Sequence, residues 1–291
     1  MTVHSSNERL GFIGLGNMGG AIALRLLRAG YPLTVFDLVR EKMLPLLREG
    51  ALEAVSPAEV ADHATIVIAS LQAGDLEEVA LGKQGLDKAA TPAPLFVDLS
   101  STAPELAVRI SSSLRQGGIE MLDSPVSGAD IGATNGNLTL FVGGSYQAFQ
   151  QSLPVLQIIG RTVTYLGKNG NGQLGKIINE MMQTFSQLAI YEGLQLAEKM
   201  GLDLQSFARA ASAGCAQSWR LDELVNGVFN LGDKRYRLNL RPERTGRAME
   251  LAGKAGIALP GAAATHRLFA ERGWQVVVDF AAGKIIEPGK P

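Results

Sequence analysis

Three short stretches carry residue types that can move a hydride and a proton. Residues 172–180 read GQLGKIINE, with Lys176 opening a helix-patterned run through Ile177, Ile178, Met181, Met182, Phe185, Leu188, Ala189 and Leu196. Asn179 lies three residues on, so its amide shares the lysine's face. Such a lysine is either a solvated surface cation or a general acid/base. On a solvated face it would pair with Glu180 at i+4, the weaker orientation for a helical ion pair, and its apolar neighbours argue against full exposure. Residues 12–21, FIGLGNMGGA, place Gly14-x-Gly16-x-x-Gly19 between a β-rich run and a helical one. In that pattern the first glycine permits a tight turn, the second lets a pyrophosphate approach the backbone, and the third lets helix pack on strand. The helix start, with Asn17 and Met18, adds N–H groups and partial positive charge. Asp37, about twenty residues on, is spaced to accept ribose hydroxyls and to repel a 2′-phosphate, which favours NAD. Arg40 keeps NADP open. The plain alternative is an ordinary turn and a surface aspartate. The third stretch, SPVSGAD (124–130), follows a strand pattern, where the N–H groups at Ser127 and Gly128 can hold a substrate carboxylate. Its alternative is a loop that closes a strand.

These residues need elements to position them. The first half alternates β-rich runs (9–16, 32–37, 65–70, 95–100, 120–126 and 138–144) with helical patterns such as 18–30 and 40–50. That rhythm predicts an α/β, doubly wound parallel sheet of Rossmann type with helices on both faces. Leu71, just after the 65–70 run, is counted with the cofactor side. Past about residue 165 the pattern turns helical. One proline-free stretch from Gln173 to Met200 ends at Gly201 and would span about 40 Å; four shorter helical patterns follow. We therefore expect a cofactor-binding domain over 1–165 and an all-α substrate and dimerisation domain over 166–291, joined by the long helix.

Bulk properties narrow the function classes. Apolar residues make up 46% and charged residues 19% of 291, as in a soluble globular protein. A net charge of −1 argues against a nucleic-acid surface. The single Cys215 excludes an internal disulfide framework and suits a reducing, cytoplasmic setting; it is expected to be a small buried residue. His4, His63 and His266 are scattered without metal-ligand spacing. The polar start MTVHSSNER does not read as a signal peptide, and no run is apolar for roughly 18 residues, so neither a leader nor a membrane partner is expected.

Taken together, four stretches resemble the β-hydroxyacid dehydrogenase family, which includes 3-hydroxyisobutyrate dehydrogenase and tartronate semialdehyde reductase. They are GFIGLGNMGGAIALRLLRAG (11–30), VDLSSTAP (97–104), DSPVSGADIGATNGNLTL (123–140) and GNGQLGKIINE (170–180). In order and spacing they cover nearly the whole chain. The resemblance implies a 6-phosphogluconate dehydrogenase-like C-terminal domain and a homodimer or tetramer. It implies substrate binding by Ser127 and Gly128 and a nicotinamide-side role for Ser101, where the family commonly has threonine; Asn179, on the lysine's helix face, is placed to join in catalysis and substrate binding by orienting the lysine or the substrate. It also implies that Lys176 is the proton donor and acceptor that hydride transfer requires; an ammonium buried beside a positively charged nicotinamide loses basicity, which suits that work.

Besides Ser101, the chain departs from the family at three places. Ala129 replaces a usual second glycine, narrowing the pocket. Glu180 stands where Asn or Gln is common, and its carboxylate either raises the basicity of Lys176 or points away. Glu243 and Arg244 stand where a Lys-Asp pair is usual, so Arg241, Arg244 or Arg247 could supply the missing positive charge. Trp219 and Arg220 either line the substrate cleft or, for the tryptophan, belong to the core.

The leading reading is an NAD(P)-dependent enzyme interconverting a small 3-hydroxy acid and its semialdehyde. The alternatives are an NADP-preferring reductase of glyoxylate- or succinic-semialdehyde-type substrates, an imine reductase-like enzyme, and a non-catalytic cofactor-binding module. Retention of Lys176 and SPVSG counts against the imine branch, and retention of the lysine against the module.

Overall fold

The computed structural model describes residues 8–72, 74–230, 235–239, 241–272, 275–279 and 283–286. The chain divides into two compact units, Met1–Lys176 and Ile177–Pro291.

The first unit begins with β1 (Leu10–Ile13), α1 (Asn17–Arg28), β2 (Leu33–Phe36), α2 (Leu44–Arg48), β3 (Leu52–Glu53) and α3 (Pro57–His63). It continues with β4 (Ile66–Ala69), α4 (Leu76–Leu81), β5 (Leu95–Asp98), α5 (Pro104–Gln116) and β6 (Glu120–Asp123). Six strands pair in parallel in the order β3-β2-β1-β4-β5-β6. Alternate side chains of each strand face opposite ways, and both faces are apolar. Leu10, Phe12, Val35, Ile68, Val97 and Leu122 pack into one core with Ile22 and Leu26 of α1. Ile13, Val67, Ala69, Phe96 and Met121 pack into the other with Val60, Leu76 and Ile110 of α3, α4 and α5. This is the expected doubly wound sheet. The helix expected over 40–50 is shorter: a 3₁₀ turn at Arg40–Lys42 precedes α2. Pro45 lacks an N–H and crowds the carbonyl four residues back, so the helix cannot extend upstream through it.

The rest of the unit is β7 (Val126–Ser127), α6 (Ala129–Asn135), β8 (Leu138–Val142), α7 (Tyr146–Ile159) and β9 (Gly160–Tyr165). Here β7 pairs antiparallel with β8, and β8 parallel with β9. An antiparallel bridge between Asp123 and Gly143 ties this small sheet to the end of β6.

Next comes α8 (Asn171–Lys199), 29 residues long, after which Gly201 adopts φ +74°. The division between the two units falls inside this helix, between residues 176 and 177, rather than before it. The second unit continues with α9 (Leu204–Ala213), α10 (Trp219–Asn230), β10 (Arg235–Asn239), α11 (Pro242–Lys254), α12 (Pro260–Arg272), β11 (Gln275–Asp279) and β12 (Lys284–Ile286). Its core gathers Ile190, Tyr191, Leu194, Leu204, Leu221, Leu224, Phe269 and Val278. Helices carry the unit as expected, but the all-α reading needs correction, because β10, β11 and β12 form an antiparallel sheet. Arg235 pairs with Asp279 and Asn239 with Gln275. A strand that pairs so far along the chain leaves no hairpin turn signal beside it.

Candidate active site

Parallel pairing brings the carboxyl ends of five strands into one row: Phe36, Ile13, Ala69, Asp98 and Asp123. The strand order reverses between β1 and β4, and ligands of open α/β sheets lie outside the carboxyl ends at such a point. The glycine turn follows β1. Gly14 has φ +86°, and a Cβ there would lie 2.4 Å from the Ser70 carbonyl oxygen. A Cβ on Gly19 would lie 2.0 Å from the Gly14 oxygen, so α1 meets the turn at backbone distance. At Gly16 an added Cβ meets nothing within 4 Å, leaving open space at the start of α1. The first turn of α1 carries no acidic residue to neutralise its N–H groups.

A cleft of about 500 Å³ opens over this turn, lined among others by Gly14, Gly16, Asn17, Met18, Gly19, Asp37 and Leu71. It holds every residue assigned to the cofactor from sequence except Ser101. It also holds Leu38, Val39, Lys42, Pro57 and Gln84, which no sequence pattern singled out. Asp37 is fixed by the backbone: Leu15 N–H donates to Oδ2 at 2.7 Å and Val39 N–H to Oδ1 at 2.8 Å. Arg40 forms a two-pronged pair with Glu53, at 2.7 Å for each contact. Open space at Gly16, free helix N–H groups and a fixed acid fit a dinucleotide.

A second group of contacts surrounds the Ser101 segment and the start of α8. Asp123 is fully buried; its Oδ1 accepts from Gly170 N–H at 2.8 Å and its Oδ2 from Gln173 N–H at 3.1 Å. Burial pushes its carboxyl up from the usual range, while the Gly170 and Gln173 N–H groups oppose the shift. Asp98, also fully buried, accepts from Ser100 N–H at 2.9 Å. Burial lifts its carboxyl to about 7; the Ser100 bonds resist and the Asp123 charge adds to it. The Gln173 side chain, 1% exposed, donates from Nε2 to the Ser100 carbonyl at 2.8 Å and accepts at Oε1 from Thr102 N–H at 3.0 Å. Ser100 Oγ in turn accepts from Leu71 N–H at 2.9 Å. Asp98, Asp123 and Gln173 each lie inside one of the motifs, in 97–104, 123–140 and 170–180, but their types and spacing alone point to no role. Their signal is a polar residue among apolar or small ones, at a strand end or helix start.

Lys176 lies in the second turn of α8 and is 8% exposed. Asn179 is three residues further along the same helix. Ser127 ends β7, opposite Thr139 on β8. Gly128 follows with φ +138°, and Ala129 takes φ +56°, the only left-handed residue other than glycine among those described. A side chain there carries strain, which explains why glycine suits this position.

In the second unit Glu180, Arg241, Glu243, Arg244 and Arg247 belong to one charge network. Glu180, 6% exposed, accepts from Arg247 Nη2 at 2.7 Å and has Arg244 Nε at 3.8 Å. Arg244 also donates to Gln183 Oε1 at 2.7 Å. Arg241 lies 3.9 Å from Glu243. Burial depresses the Arg244 guanidinium's pKa; Glu180 opposes this, while Arg220 and Arg241 reinforce it. Two expectations are corrected here. Trp219 is 47% exposed, with Arg220 stacked 4.9 Å from its ring centre, so it is no core residue. Cys215 is exposed, in the exposed stretch 213–217 at the end of α9, so it is not the expected buried residue. His4 lies outside the described residues. Among the described residues, no three His, Cys, Asp or Glu side chains are grouped to hold a metal ion.

Residues 9–167 match the family described as the NAD binding domain of 6-phosphogluconate dehydrogenase. Residues 170–279 match that described as NAD-binding of NADP-dependent 3-hydroxyisobutyrate dehydrogenase. The chain is 37% identical over 214 residues to 3-hydroxyisobutyrate dehydrogenase of Pseudomonas aeruginosa, covering 73% of this chain and 72% of that one. It is 32% identical over 268 residues to 2-hydroxy-3-oxopropionate reductase of Escherichia coli, covering 90% of each. The solved 3-hydroxyisobutyrate dehydrogenase of Mycobacterium tuberculosis with L-serine superposes with a TM-score of 0.79 at 26% identity, covering 95% of this chain and 97% of that one. Among the described residues, no helix is long and apolar enough to cross a membrane.

Proposed function

The chain belongs to the β-hydroxyacid dehydrogenase family, whose members are NAD(P)-dependent oxidoreductases acting on CH–OH groups, and from that premise we propose that it interconverts a small 3-hydroxy acid and its semialdehyde with Lys176 as general acid/base. The observation that carries the reading is a lysine withdrawn from solvent near the start of a helix anchored at its first residues to the strand row that borders the cofactor cleft. When bound, NAD(P) takes up or supplies the hydride. Gly14, Gly16, Asn17, Met18 and Gly19 would hold its pyrophosphate, Asp37 a ribose, and Leu71 and Ser101 the nicotinamide side. Lys176 takes the proton of the substrate hydroxyl in oxidation and returns one to the carbonyl oxygen in reduction. Ser127 and Gly128 hold the substrate carboxylate, and Asn179 orients the lysine or the substrate. NAD is preferred over NADP, because Asp37 is fixed beside the glycine turn and Arg40 is committed to Glu53.

The two family matches meet between residues 167 and 170, which supports a functional division near 165. Exposed Ile178, Met182, Leu196, Met200 and Leu202 support a homo-oligomer. The free cysteine supports a cytoplasmic setting.

A spectrophotometric screen at 340 nm across small hydroxy acids and semialdehydes, with each cofactor, tests the reading. Lys176→Ala should lower kcat by about 10²–10⁴-fold and leave cofactor affinity unchanged. Activity that survives the substitution overturns the mechanism, and silence across the panel replaces the enzyme with a cofactor-binding module.

A further inference from the structure

We propose that Gln173 is a positioning residue that locks the Ser101 segment to the helix bearing Lys176, so that the nicotinamide-side hydroxyl and the proton-transferring ammonium are registered by one side chain. The inference rests on the roles assigned above to Ser101 and Lys176. Its geometry does not, because every contact lies within the first unit.

The segment 100–102 leaves β5 and forms no strand, so its backbone groups need partners of another kind. Ser100 is held twice on its own side, by Asp98 through its N–H and by Leu71 N–H through its hydroxyl. Gln173 supplies the rest. Its primary amide faces the Ser100 carbonyl with its donor and the Thr102 N–H with its acceptor, at 2.8 and 3.0 Å, as a neighbouring strand would. The two bonds bracket Ser101. They also fix which way the amide is turned, since the reverse orientation would set oxygen against oxygen and N–H against N–H.

The main chain of Gln173 is pinned as well, through its N–H to buried Asp123. Lys176 follows three residues later on the same helix. A shift of the 100–102 segment and a shift of the α8 start are therefore coupled through one rigid, fully buried group. An amide is the side chain that both donates and accepts within one plane. Glutamate accepts but cannot donate when ionised, methionine offers neither function, and asparagine is one methylene too short to reach both partners.

The test uses the full chain with Gln173→Glu, Gln173→Met and Gln173→Asn, beside Lys176→Ala. In wild type without cofactor, the Thr102 amide should exchange slowly with solvent. In each Gln173 variant it should exchange at least about tenfold faster, while amides of β1 and α1 keep their protection. The Kd for NAD, followed by fluorescence, should stay within about threefold, because the glycine turn and Asp37 are untouched. KM for the hydroxy acid should change little, and kcat should fall about 10–100-fold, the scale of a sub-ångström to 1 Å misplacement. Wild-type kcat despite a freely exchanging Thr102 amide overturns the proposal. So does a kcat loss matched by an equal loss of cofactor affinity, or by loss of protection throughout the unit. Should Gln173→Met fail to fold, the near-isosteric Gln173→Glu decides. Failure of the underlying reading is distinct: there Lys176→Ala stays active, whatever the Gln173 variants do.

Discussion

Asp123, at the end of β6, is met by two backbone N–H groups from the residues that open α8; Glu180, further along that helix, is met by the guanidinium groups of Arg247 and Arg244. The two carboxylates are similarly withdrawn from water, at 0% and 6% exposure, so burial alone does not set them apart. What differs is the donor. Backbone donors cannot be exchanged by mutation and carry no full charge, so Asp123 is an immovable anchor whose ionisation burial still resists. Guanidinium donors neutralise a charge, but they ride on long side chains that another residue can replace. The anchor belongs where geometry must stay fixed, beside the lysine helix start. The exchangeable donors lie further along, where Arg247 and Arg244 meet Glu180.

The largest break in this contrast is Asp123→Ala, which strands two buried N–H groups. It should cost roughly 2–4 kcal/mol in urea unfolding and reduce kcat with it; a loss below about 1 kcal/mol would remove the anchor from the comparison.

Asp98→Asn tests the second buried carboxyl of the row. Its folded pKa of about 7 lies above the ordinary 3.8, so the folded state holds its proton longer than the unfolded chain does. Stability from this group is full below about pH 4, declines as pH rises towards 7, and is flat above. The asparagine still accepts from Ser100 and should erase that decline. The change should be on the order of 2 kcal/mol between pH 5 and pH 8, below full conversion at about 1.36 kcal/mol per pKa unit because buried sites relax. Parallel unfolding curves at the two pH values check it.

For the exchangeable pair, Arg247→Ala should cost about 1–2 kcal/mol, less than a broken isolated pair because Arg244 remains. Adding Glu180→Gln should recover part of it, and simple additivity in the double-mutant cycle would show that the carboxylate does not need the arginine. The smallest effect comes from Ala129→Gly, just past Ser127. Relief of left-handed strain, set against the glycine's extra chain freedom, should raise stability by roughly 0.5 kcal/mol. A thermal melt that drops instead would mean that the Ala129 methyl packs usefully.

The parts legible in the sequence are those where one residue type is forced by backbone geometry. Gly14 and Gly19 announce themselves because any Cβ would strike the turn. The strands of the parallel sheet announce themselves because both faces are apolar. Gln173 and Asp123 stayed silent because their work depends on partners 47 to 73 residues away, which no local pattern encodes. The same holds for β10 and β11, short strands paired across two helices. Trp219 misled by size: a large ring suggests a core, yet its neighbour Arg220 covers one face and half of it stays in water. Glu180 stands out in sequence as an acid beside Lys176, but its arginine partners sit on another helix, α11.

Those long separations also set the order in which a newly made chain becomes competent. The six strands of the parallel sheet are complete by residue 123, whereas Thr102 finds its acceptor on a residue made 71 positions later. During synthesis the sheet and glycine turn can therefore form while the segment around Ser101 still lacks the bonds that bracket it. The Thr102 amide should gain protection together with the first turn of α8, and after the strand it adjoins. A chain interrupted before Gln173 would keep the glycine turn while lacking the bracket on Ser101 and the lysine, so under the proposed mechanism the ability to bind precedes the ability to react.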